Sequence, residues 1–299
     1  MTYVFIANGR PDKLNITGRV SGMLAGINAP EHCEIYTTRE AGDATYFVRK
    51  HCESHPDIKV CYVACGGDGT INEVATGLFG YKDKYLAILA MGTGNDFVKY
   101  YKDSSFNSPE GIFNGKCHKI DIMRVNRDHF SINVCNFGFE AAVCSIANIL
   151  SAKGEPEPYR KGIIMAILKH RFNRITVTAD GERLNRRRML LCTLANNHYV
   201  GGEFCCAPRA VNDDGLIDLC MVRPITLLRF AKLIPLYAKG LHLDSPKCSK
   251  VMKYRRVRHV EVHSEKDTEI CLDGEMLPGR DFVVDIVPKA INLIIPNTK

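Results

Sequence analysis

The sequence predicts an α/β N-terminal domain built on a parallel sheet, followed by a mainly antiparallel β C-terminal domain. The chain has 299 residues, about twice the usual length of one domain. Up to about residue 120, strand-like and helix-like runs alternate, which is typical of a parallel sheet covered by helices. After Lys119, short runs rich in β-branched residues alternate with turn sequences, which is typical of antiparallel sheets.

In the first domain, apolar runs of strand length are separated by runs with a helical spacing of apolar residues. Ligands of such sheets bind beyond the carboxyl ends of the strands, so a site is expected in the loops that follow the strands. In chain order, the strand-like and helix-like runs are 3–7, 14–27, 33–38, 43–52, 60–65 and 85–90.

In the second domain, the strand-like runs are shorter and two helix-like runs interrupt them, at 139–152 and 224–240. The stretch 154–162 carries glycine and two prolines and is predicted as a flexible loop. The tripeptide Asp-Gly-Glu at 180–182 is predicted as a hairpin turn. The strand-like runs are 119–125, 129–138, 174–180, 189–197, 215–222, 259–264 and 268–274.

Composition indicates a soluble, cytoplasmic protein. The 13 cysteines lie mostly within apolar runs, which is typical of buried free thiols in a reducing compartment, and their spacing forms no zinc motif. The N-terminus lacks a signal-peptide pattern, and the apolar runs are too short to span a membrane. The net charge of +7 is partly clustered at 186–188 and 255–258, which could attract an anionic surface or simply oppose aggregation.

The stretch GGDGTINEV at 66–74 joins an apolar strand to a helical pattern. Thr70 and Glu73 match a capping box, so the helix is predicted to begin at Thr70. Glycines before a helix start let backbone N–H groups approach an anion such as phosphate. Asp68 would repel that anion unless a metal lies nearby, which makes it a candidate Mg²⁺ ligand, direct or through water. An ordinary strand-to-helix turn is the alternative.

A second loop of the same kind follows the next predicted strand. MGTGNDF at 91–97 again places glycines and a carboxylate before an apolar run. Because neighbouring parallel strands end at one edge of a sheet, Thr93, Asn95 and Asp96 could meet the ligand of the first loop. Two such loops together favour a nucleotide site over two unrelated turns.

These motifs resemble the diacylglycerol kinase catalytic-domain family, in particular bacterial soluble lipid kinases of the YegS and DgkB type. The resemblance continues through NNHYVGGEFCCAPRAVNDDGLIDL at 196–219, CLDGE at 271–275 and the closing segment 282–296, so it covers nearly the whole chain. GGDGT alone is shared with NAD kinases. The more specific signals are GTGND, DDGLIDL and the downstream Asp-Gly-Glu.

The resemblance implies an NAD kinase/diacylglycerol kinase-like α/β domain at 1–120 and 286–299, and a β-sandwich lipid-substrate domain at 121–285. It implies ATP as the phosphate donor, bound between these domains, and Mg²⁺ as the metal. The implied nucleotide or metal contacts are Asn8, Thr38, Gly66, Gly67, Asp68, Gly69, Thr70, Asn72, Glu73 and Thr93, to which Asn95 and Asp96 are added from the second loop.

Two further assignments come from the same resemblance. Asp214 would bind a structural Mg²⁺ through its side chain, with backbone carbonyl oxygens of Val211 and Leu216. Glu275 matches the proton acceptor, with Asp273 as the competing candidate.

One loop departs from the family pattern. Relatives commonly read N-P-x-S-G-x-G-K after the first strand, whereas this chain reads NGRPDK at 8–13. Asn8 and Lys13 can still face phosphate, and Arg10 offers a further contact.

The resulting hypothesis is an ATP-dependent, Mg²⁺-requiring lipid kinase acting on diacylglycerol or a related lipid. The alternatives are an NAD kinase-like enzyme and a nucleotide-sensing regulatory protein without turnover. We expect a lipid partner met transiently at the inner face of the membrane and no nucleic-acid partner. The oligomeric state is open, with a homo-oligomer as one candidate. Apolar and basic residues interleave at 225–241, which fits either a peripheral membrane contact or a packed helix.

Overall fold

The computed structural model describes residues 1–9, 15–169, 174–186 and 188–297, with the backbone alone at 168 and 169. The chain divides into two compact units, the first formed by Met1–Asp121 with Lys289–Lys299 and the second by Ile122–Pro288. The unit junctions fall at residues 121 and 288, beside the predicted domain boundaries at 120 and 285.

The first unit is an α/β structure, and the predicted parallel sheet is confirmed. Its strands lie in the order β2-β1-β3-β4, all parallel, and Leu293 near the chain end pairs with Leu86 of β4, also in parallel. A short 3₁₀ helix spans Val98–Tyr100. The other elements are β1 (Thr2–Ala7), α1 (Ile16–Ala25), β2 (Cys33–Thr37), α2 (Asp43–Ser54), β3 (Val60–Gly66), α3 (Asp68–Leu78), β4 (Lys84–Ala90), α4 (Pro109–Phe113) and β5 (Lys116–Val125).

Burial explains why these runs form a helix-covered sheet. All seven residues of β3 are buried, as expected of a strand with helices on both faces. In α2, Ala44, Val48 and Cys52 are buried at intervals of four, so one stripe of the helix faces the sheet. The carboxyl ends of β1, β3 and β4 consequently lie side by side in register, and the loops that follow them share one edge.

The second unit is dominated by antiparallel strands, which confirms the second half of the predicted fold class. The main sheet runs β14-β13-β10-β7-β15-β16, with β8 and β9 joined to β15. The elements are β6 (His129–Ser131), β7 (Val134–Gly138), α5 (Phe139–Ala152), α6 (Pro158–Lys169), β8 (Ile175–Ala179), β9 (Glu182–Arg183), β10 (Leu191–Ala195), β11 (Tyr199–Val200), β12 (Phe204–Cys205), β13 (Ile217–Val222), α7 (Leu227–Ala238), α8 (Pro246–Ser249), β14 (Met252–Val257), β15 (His259–Leu272) and β16 (Glu275–Ile295).

The helix α6 corrects the prediction of a loop through 154–162. Only the first part of that stretch is irregular, because Pro158 takes the first helical position, where its missing N–H has no consequence. Tyr159 and Ile163 then continue with apolar side chains at helical spacing and pack against α5. Gly162 allows the close approach, since a Cβ there would lie 2.9 Å from the carbonyl oxygen of Val143.

The thirteen cysteines are free thiols, and most are buried. Within the described ranges, no helix combines the length and apolar character that crossing a membrane requires.

Candidate functional site

The first glycine loop leads directly from β3 into α3. Gly67 is the N-cap residue and the helix begins at Asp68, so the predicted start at Thr70 is wrong by two residues. The expected capping box is also wrong, because the N-cap residue is Gly67, which has no side chain to accept a hydrogen bond. The first-turn N–H groups have no acceptor within the helix, and the helix dipole adds positive potential there.

The two glycine loops touch through their backbones. A Cβ built on Gly92 would lie 2.3 Å from Cα of Gly67 and 2.9 Å from its nitrogen, so only glycine fits at this contact. Met91 donates its N–H to the carbonyl of Gly66 at 2.9 Å, which continues the pairing of β4 with β3 into the loops. The structure therefore brings the two predicted loops together.

Polar side chains from the ends of β1 and β2 join this edge. Asn8 Nδ2 donates to Thr70 Oγ1 at 3.1 Å. The Thr70 hydroxyl thus accepts from Asn8, whereas the sequence predicted that it would cap the start of α3. The N–H of Gly9 donates to Thr38 Oγ1 at 3.1 Å. Asn8, Thr38 and Thr70 are thus held at the carboxyl ends of neighbouring strands.

Asp68 and Asp96 form a pair of carboxylates at the same edge. Asp68 Oδ1 accepts the N–H of Phe97 at 2.9 Å. Burial, followed by the negative charge of Asp96, raises the pKa of Asp68, while hydrogen bonds from backbone N–H groups and the charge of Lys99 lower it. Asp96 is buried, and Lys99 Nζ lies 2.6 Å from its Oδ1. Sequence reasoning missed Lys99, whose signal is its position three residues after a predicted carboxylate.

The second loop is shaped by Asn95, which adopts a positive φ of 50°. Its side chain accepts the N–H of Gly92 at 3.1 Å and donates to the carbonyl of Gly92 at 2.8 Å. Asn95 therefore fixes the loop conformation. Of the three predicted ligand contacts in this loop, Thr93 is the one exposed to solvent.

Two predicted contacts lie elsewhere. Glu73 Oε2 accepts the N–H of Ala44 at 3.2 Å, so its carboxylate serves the first turn of α2. Asn72 is buried along α3. The proposed contacts of Arg10 and Lys13 lie outside the described residues.

In the second unit, Asp273 and Gly274 form the two-residue turn between β15 and β16, with φ angles of 49° and 99°. The carboxylate of Asp273 accepts backbone N–H groups of Ile132 at 2.8 Å and Val134 at 2.7 Å, with Asn133 at 3.2 Å. Burial raises the pKa of Asp273 to about 7, and these donors oppose the rise. Asp273 therefore fixes the turn to the start of β7.

Glu275 is the exposed residue that follows this turn. It pairs with Leu272 as the first rung of the hairpin, and Asn148 of α5 donates to the carbonyl of Gly274 at 2.8 Å. The turn is thus held from two sides while the Glu275 side chain faces solvent.

The other Asp-Gly-Glu, at 180–182, forms a hairpin turn of the same geometry, as predicted. Asp180 and Gly181 have φ angles of 45° and 82°, and Ala179 pairs with Glu182. The Asp180 carboxylate accepts the N–H groups of Arg258 at 3.1 Å and His259 at 2.9 Å. The tripeptide alone therefore does not mark a catalytic residue.

Both units of the chain match models of known protein families. The family model of the diacylglycerol kinase catalytic domain matches residues 2–125. The model of the YegS C-terminal NAD kinase beta sandwich-like domain matches residues 133–295, more than half of the chain. The chain belongs to the YegS and diacylglycerol kinase family.

Individual relatives agree with this family assignment. The chain is 29% identical over 274 residues to a diacylglycerol kinase of Bacillus subtilis, covering 88% of this chain and 86% of the relative. It is 30% identical over 279 residues to a Yersinia pestis protein named "Probable lipid kinase YegS-like", covering 87% and 86%. A solved diacylglycerol kinase structure from Bacillus anthracis shares the fold, with a TM-score of 0.72, 20% identity, and coverage of 98% and 96%.

The carboxylate predicted to bind a structural magnesium ion is paired with an arginine in this structure. Asp214 forms an ion pair with Arg256, and its Oδ1 accepts the N–H of Leu216 at 3.0 Å. Arg256 Nε also lies 3.7 Å from the buried Asp218. A guanidinium group and a backbone N–H thus engage the Asp214 carboxylate, and magnesium binding by Asp214 with the carbonyl oxygens of Val211 and Leu216 stays a prediction.

The Asp68 and Asp96 pair is a second place where carboxylates could hold a magnesium ion. The negative charge of Asp96 raises the pKa of Asp68, and a divalent cation between them would offset that repulsion. Carboxylate oxygen is also a preferred ligand of Mg²⁺. Three or more histidine, cysteine, aspartate or glutamate side chains do not converge anywhere in the described ranges, so water or phosphate oxygens would complete the coordination.

Proposed function

We propose that this protein is an ATP-dependent lipid kinase that transfers the γ-phosphoryl group to the hydroxyl of diacylglycerol or a related lipid. The observation that supports this most is the contact of two glycine loops beside the Asp68 and Asp96 carboxylates at one edge of a parallel sheet. Membership of a lipid-kinase family supports the choice of acceptor over NAD.

The first glycine loop supports a nucleotide site because it leaves room beside the first turn of α3 and because that helix end has a positive potential. A Cβ on Gly69 would meet nothing within 4 Å, so the first turn of α3 is open on that side. Phosphate oxygens there would meet the first-turn N–H groups and the positive end of the helix dipole. Asn8, Thr38 and Thr70 line the same edge and supply further polar contacts.

Mg²⁺ held by Asp68, with Asp96 beside it, would neutralise charge on the transferring phosphoryl group. Lys99, already paired with Asp96, adds a fixed positive charge near these carboxylates. Asp68 is kept in place by the N–H of Phe97.

Glu275 is the group we assign as general base. The acceptor hydroxyl oxygen forms a bond to the γ-phosphorus as the bond from that phosphorus to the ADP oxygen breaks, and the hydroxyl proton passes to the carboxylate. Glu275 is exposed, so an acceptor hydroxyl can reach it, whereas Asp273 fixes the turn to the start of β7 through three backbone N–H groups.

A kinase of insoluble substrates needs a surface that meets the bilayer, and α7 supplies candidates. Leu227 and Leu228 are exposed at its first turn, Leu228 by 68%, and Arg229 and Lys232 follow. Apolar side chains beside basic ones favour transient contact with an anionic membrane surface.

A lipid-panel assay tests the proposed function. With ATP and Mg²⁺, we expect mass spectrometry to show a phosphorylated product from diacylglycerol or another lipid with a free hydroxyl. Asp68→Asn should lower kcat by at least about 100-fold because metal positioning and charge neutralisation are lost. Phosphate appearing only on NAD would contradict the lipid assignment, and ATP binding without any product would favour the nucleotide-sensing alternative.

Lys99→Met gives a separate test through pH. The positive charge of Lys99 lowers the pKa of Asp68, so its removal should raise that pKa further. Mg²⁺ binds the ionised carboxylate. As the pH is lowered, Mg²⁺-dependent ATP binding should therefore be lost at a higher pH in the variant than in the unmodified protein. Titration of ATP binding against pH measures the shift, with exposed Lys102→Met as control. Loss of ATP binding at the same pH as in the unmodified protein, or at a lower pH, would contradict the role of Asp68.

A further inference from the structure

The turn that precedes Glu275 contains a peptide group with little restraint of its own. Gly274 adopts a φ of 99°, and a Cβ at this position would meet nothing within 4 Å. Glycine rotates about its backbone bonds more freely than other residues. The carbonyl of Gly274 and the nitrogen of Glu275 belong to one planar peptide group, so rotation at Gly274 also turns the residue that follows. The direction of the Glu275 side chain therefore depends on what holds this peptide group.

Helix α5 restrains this peptide group through Asn148. The Nδ2 atom of Asn148 donates to the carbonyl oxygen of Gly274 at 2.8 Å. Because that carbonyl lies in the same plane as the Glu275 nitrogen, a donor at the carbonyl fixes the orientation of both. The Asp273 carboxylate acts on the other side of the glycine, where it binds backbone N–H groups at the start of β7. The turn is therefore held both before and after Gly274.

Packing of α5 on the same hairpin sets the position of Asn148. One helical turn earlier, Cys144 packs against Cys271 of β15, and Met276 of β16 lies against this pair. Cys271 and Met276 pair across the hairpin, on the rung next to that of Glu275. Residues four apart lie on one face of a helix, so Asn148 continues the face that carries Cys144. The helix therefore reaches the turn along a packed contact.

The second Asp-Gly-Glu turn shows what the α5 contact adds. At 180–182 the aspartate likewise accepts backbone N–H groups, and its two central residues also have positive φ angles. None of the side chains in the described ranges donates to the carbonyl of Gly181 in that turn. A helix side chain on the glycine carbonyl thus distinguishes the turn before Glu275 from the turn before Glu182.

We propose that Asn148 is a positioning residue for the general base, and that it acts by fixing the peptide plane from which Glu275 extends. The proposal rests on the proposed kinase function and on the role of Glu275 in it, whereas the contact itself stands on geometry. Base catalysis requires the carboxylate within hydrogen-bond reach of the acceptor hydroxyl. A misplacement of about 1 Å can cost about 100-fold in rate, so a restraint on this peptide plane matters for catalysis.

Substitution of Asn148 should separate catalysis from stability. Asn148→Ala removes the donor, and we expect kcat to fall about tenfold while KM for ATP stays unchanged. The melting temperature should be kept or rise, because the contact is exposed and alanine is the better helix former. Asn148→Gln keeps an NH₂ donor and should retain most of kcat. Ser151→Ala, at an exposed position of the same helix, is the control that should leave kcat unchanged.

A double-substitution cycle tests whether Asn148 acts through Glu275. In the Glu275→Gln background the base is already lost, so Asn148→Ala should cause no further loss of the residual kcat. A contribution that is merely structural would lower kcat by the same factor in both backgrounds. That result would overturn the proposal.

Nuclear magnetic resonance observes the contact without any activity. Labelling glycine with ¹³C at the carbonyl and glutamate with ¹⁵N selects Gly-Glu peptide groups, which the chain contains at 154–155, 181–182, 202–203 and 274–275. Glu275→Gln and Glu182→Gln assign two of these signals, because each variant loses its own. In Asn148→Ala we expect the carbonyl shift of 274–275 to change and that of 181–182 to stay. An unchanged signal at 274–275 would overturn the contact.

The outcomes separate this proposal from the proposed function. A changed signal at 274–275 with unchanged kcat would overturn the positioning role and leave the kinase assignment in place. An unmodified protein that phosphorylates no lipid would contradict the kinase assignment, and the positioning role would be overturned with it. The signal at 274–275 would in that case still show whether α5 holds the turn.

Discussion

Replacement of Glu275 by glutamine should reduce kcat by about 10²–10⁴-fold, because the proton of the acceptor hydroxyl then lacks a base. The melting temperature should stay close to that of the unmodified protein, since Glu275 is exposed at the start of β16. Steady-state kinetics with the best lipid of the panel, together with thermal unfolding, measure both effects.

Substitution of the neighbouring carboxylate, Asp273, should lower stability and leave much of kcat in place. Asp273→Asn replaces a carboxylate oxygen with an NH₂ group that faces backbone donors, which should reduce the free energy of unfolding by about 1–3 kcal/mol. Below its melting temperature this variant should keep much of its kcat. If Asp273→Asn abolishes turnover while folded and Glu275→Gln does not, then Asp273 is the base.

The second Asp-Gly-Glu turn supplies matched controls for both substitutions. Glu182 occupies the same place after its turn as Glu275, and Asp180 likewise accepts backbone N–H groups. Glu182→Gln should leave activity and stability unchanged, whereas Asp180→Asn should destabilise without a specific effect on kcat. A loss of activity in Glu182→Gln would show that the assay reports something other than base catalysis.

An added methyl group should lower stability in the second glycine loop but not in the first. Gly92→Ala forces a Cβ against the backbone of Gly67, which cannot move aside as a flexible side chain would. We expect the free energy of unfolding to fall by about 1–3 kcal/mol or more, and ATP binding to be lost with the loop geometry. Thermal unfolding and calorimetric titration with an ATP analogue provide the measurements.

Gly69→Ala is the matched variant, because its Cβ would meet no protein atom within 4 Å. Alanine is the better helix former, so stability should be kept or rise by up to about 1 kcal/mol. If phosphate approaches the first turn of α3, however, the methyl group should weaken ATP binding at least about tenfold, or about 1.4 kcal/mol. Unchanged ATP affinity in this variant would contradict a nucleotide at that helix end.

The sequence predicted those features that depend on neighbouring residues or on general rules of sheets. Alternating apolar runs identified the parallel sheet, and because neighbouring parallel strands end at one edge, the loops at 66–74 and 91–97 were expected to meet. The exact contact of Gly67 with Gly92 could not be predicted, since it depends on the distance between two backbones. The helix α6 was missed because Pro158 and Gly162 are also typical of loops, and only packing against α5 reveals their helical role.

Long-range partners explain the other differences. Asp273 accepts N–H groups from residues about 140 positions earlier in the chain, and no local pattern indicates that pairing. Glu73 fits a capping box in sequence, but the structure uses its carboxylate at α2, where Ala44 supplies the donor. The pairing of Arg256 with Asp214 likewise depends on β13 and β14 being neighbours.

The pairing of Leu293 with Leu86 joins the last strand of the chain to β4, which is made much earlier in synthesis. Asn292 Nδ2 donates to the carbonyl of Lys84 at 3.0 Å, across a separation of 208 residues. Contacts so distant in sequence form slowly because a long loop must close first. During synthesis, the edge of β4 therefore stays uncovered until the whole second unit has left the ribosome. We expect a nascent chain that ends before Lys289 to bind chaperones at that edge, even though every element of the glycine-loop site has already been made.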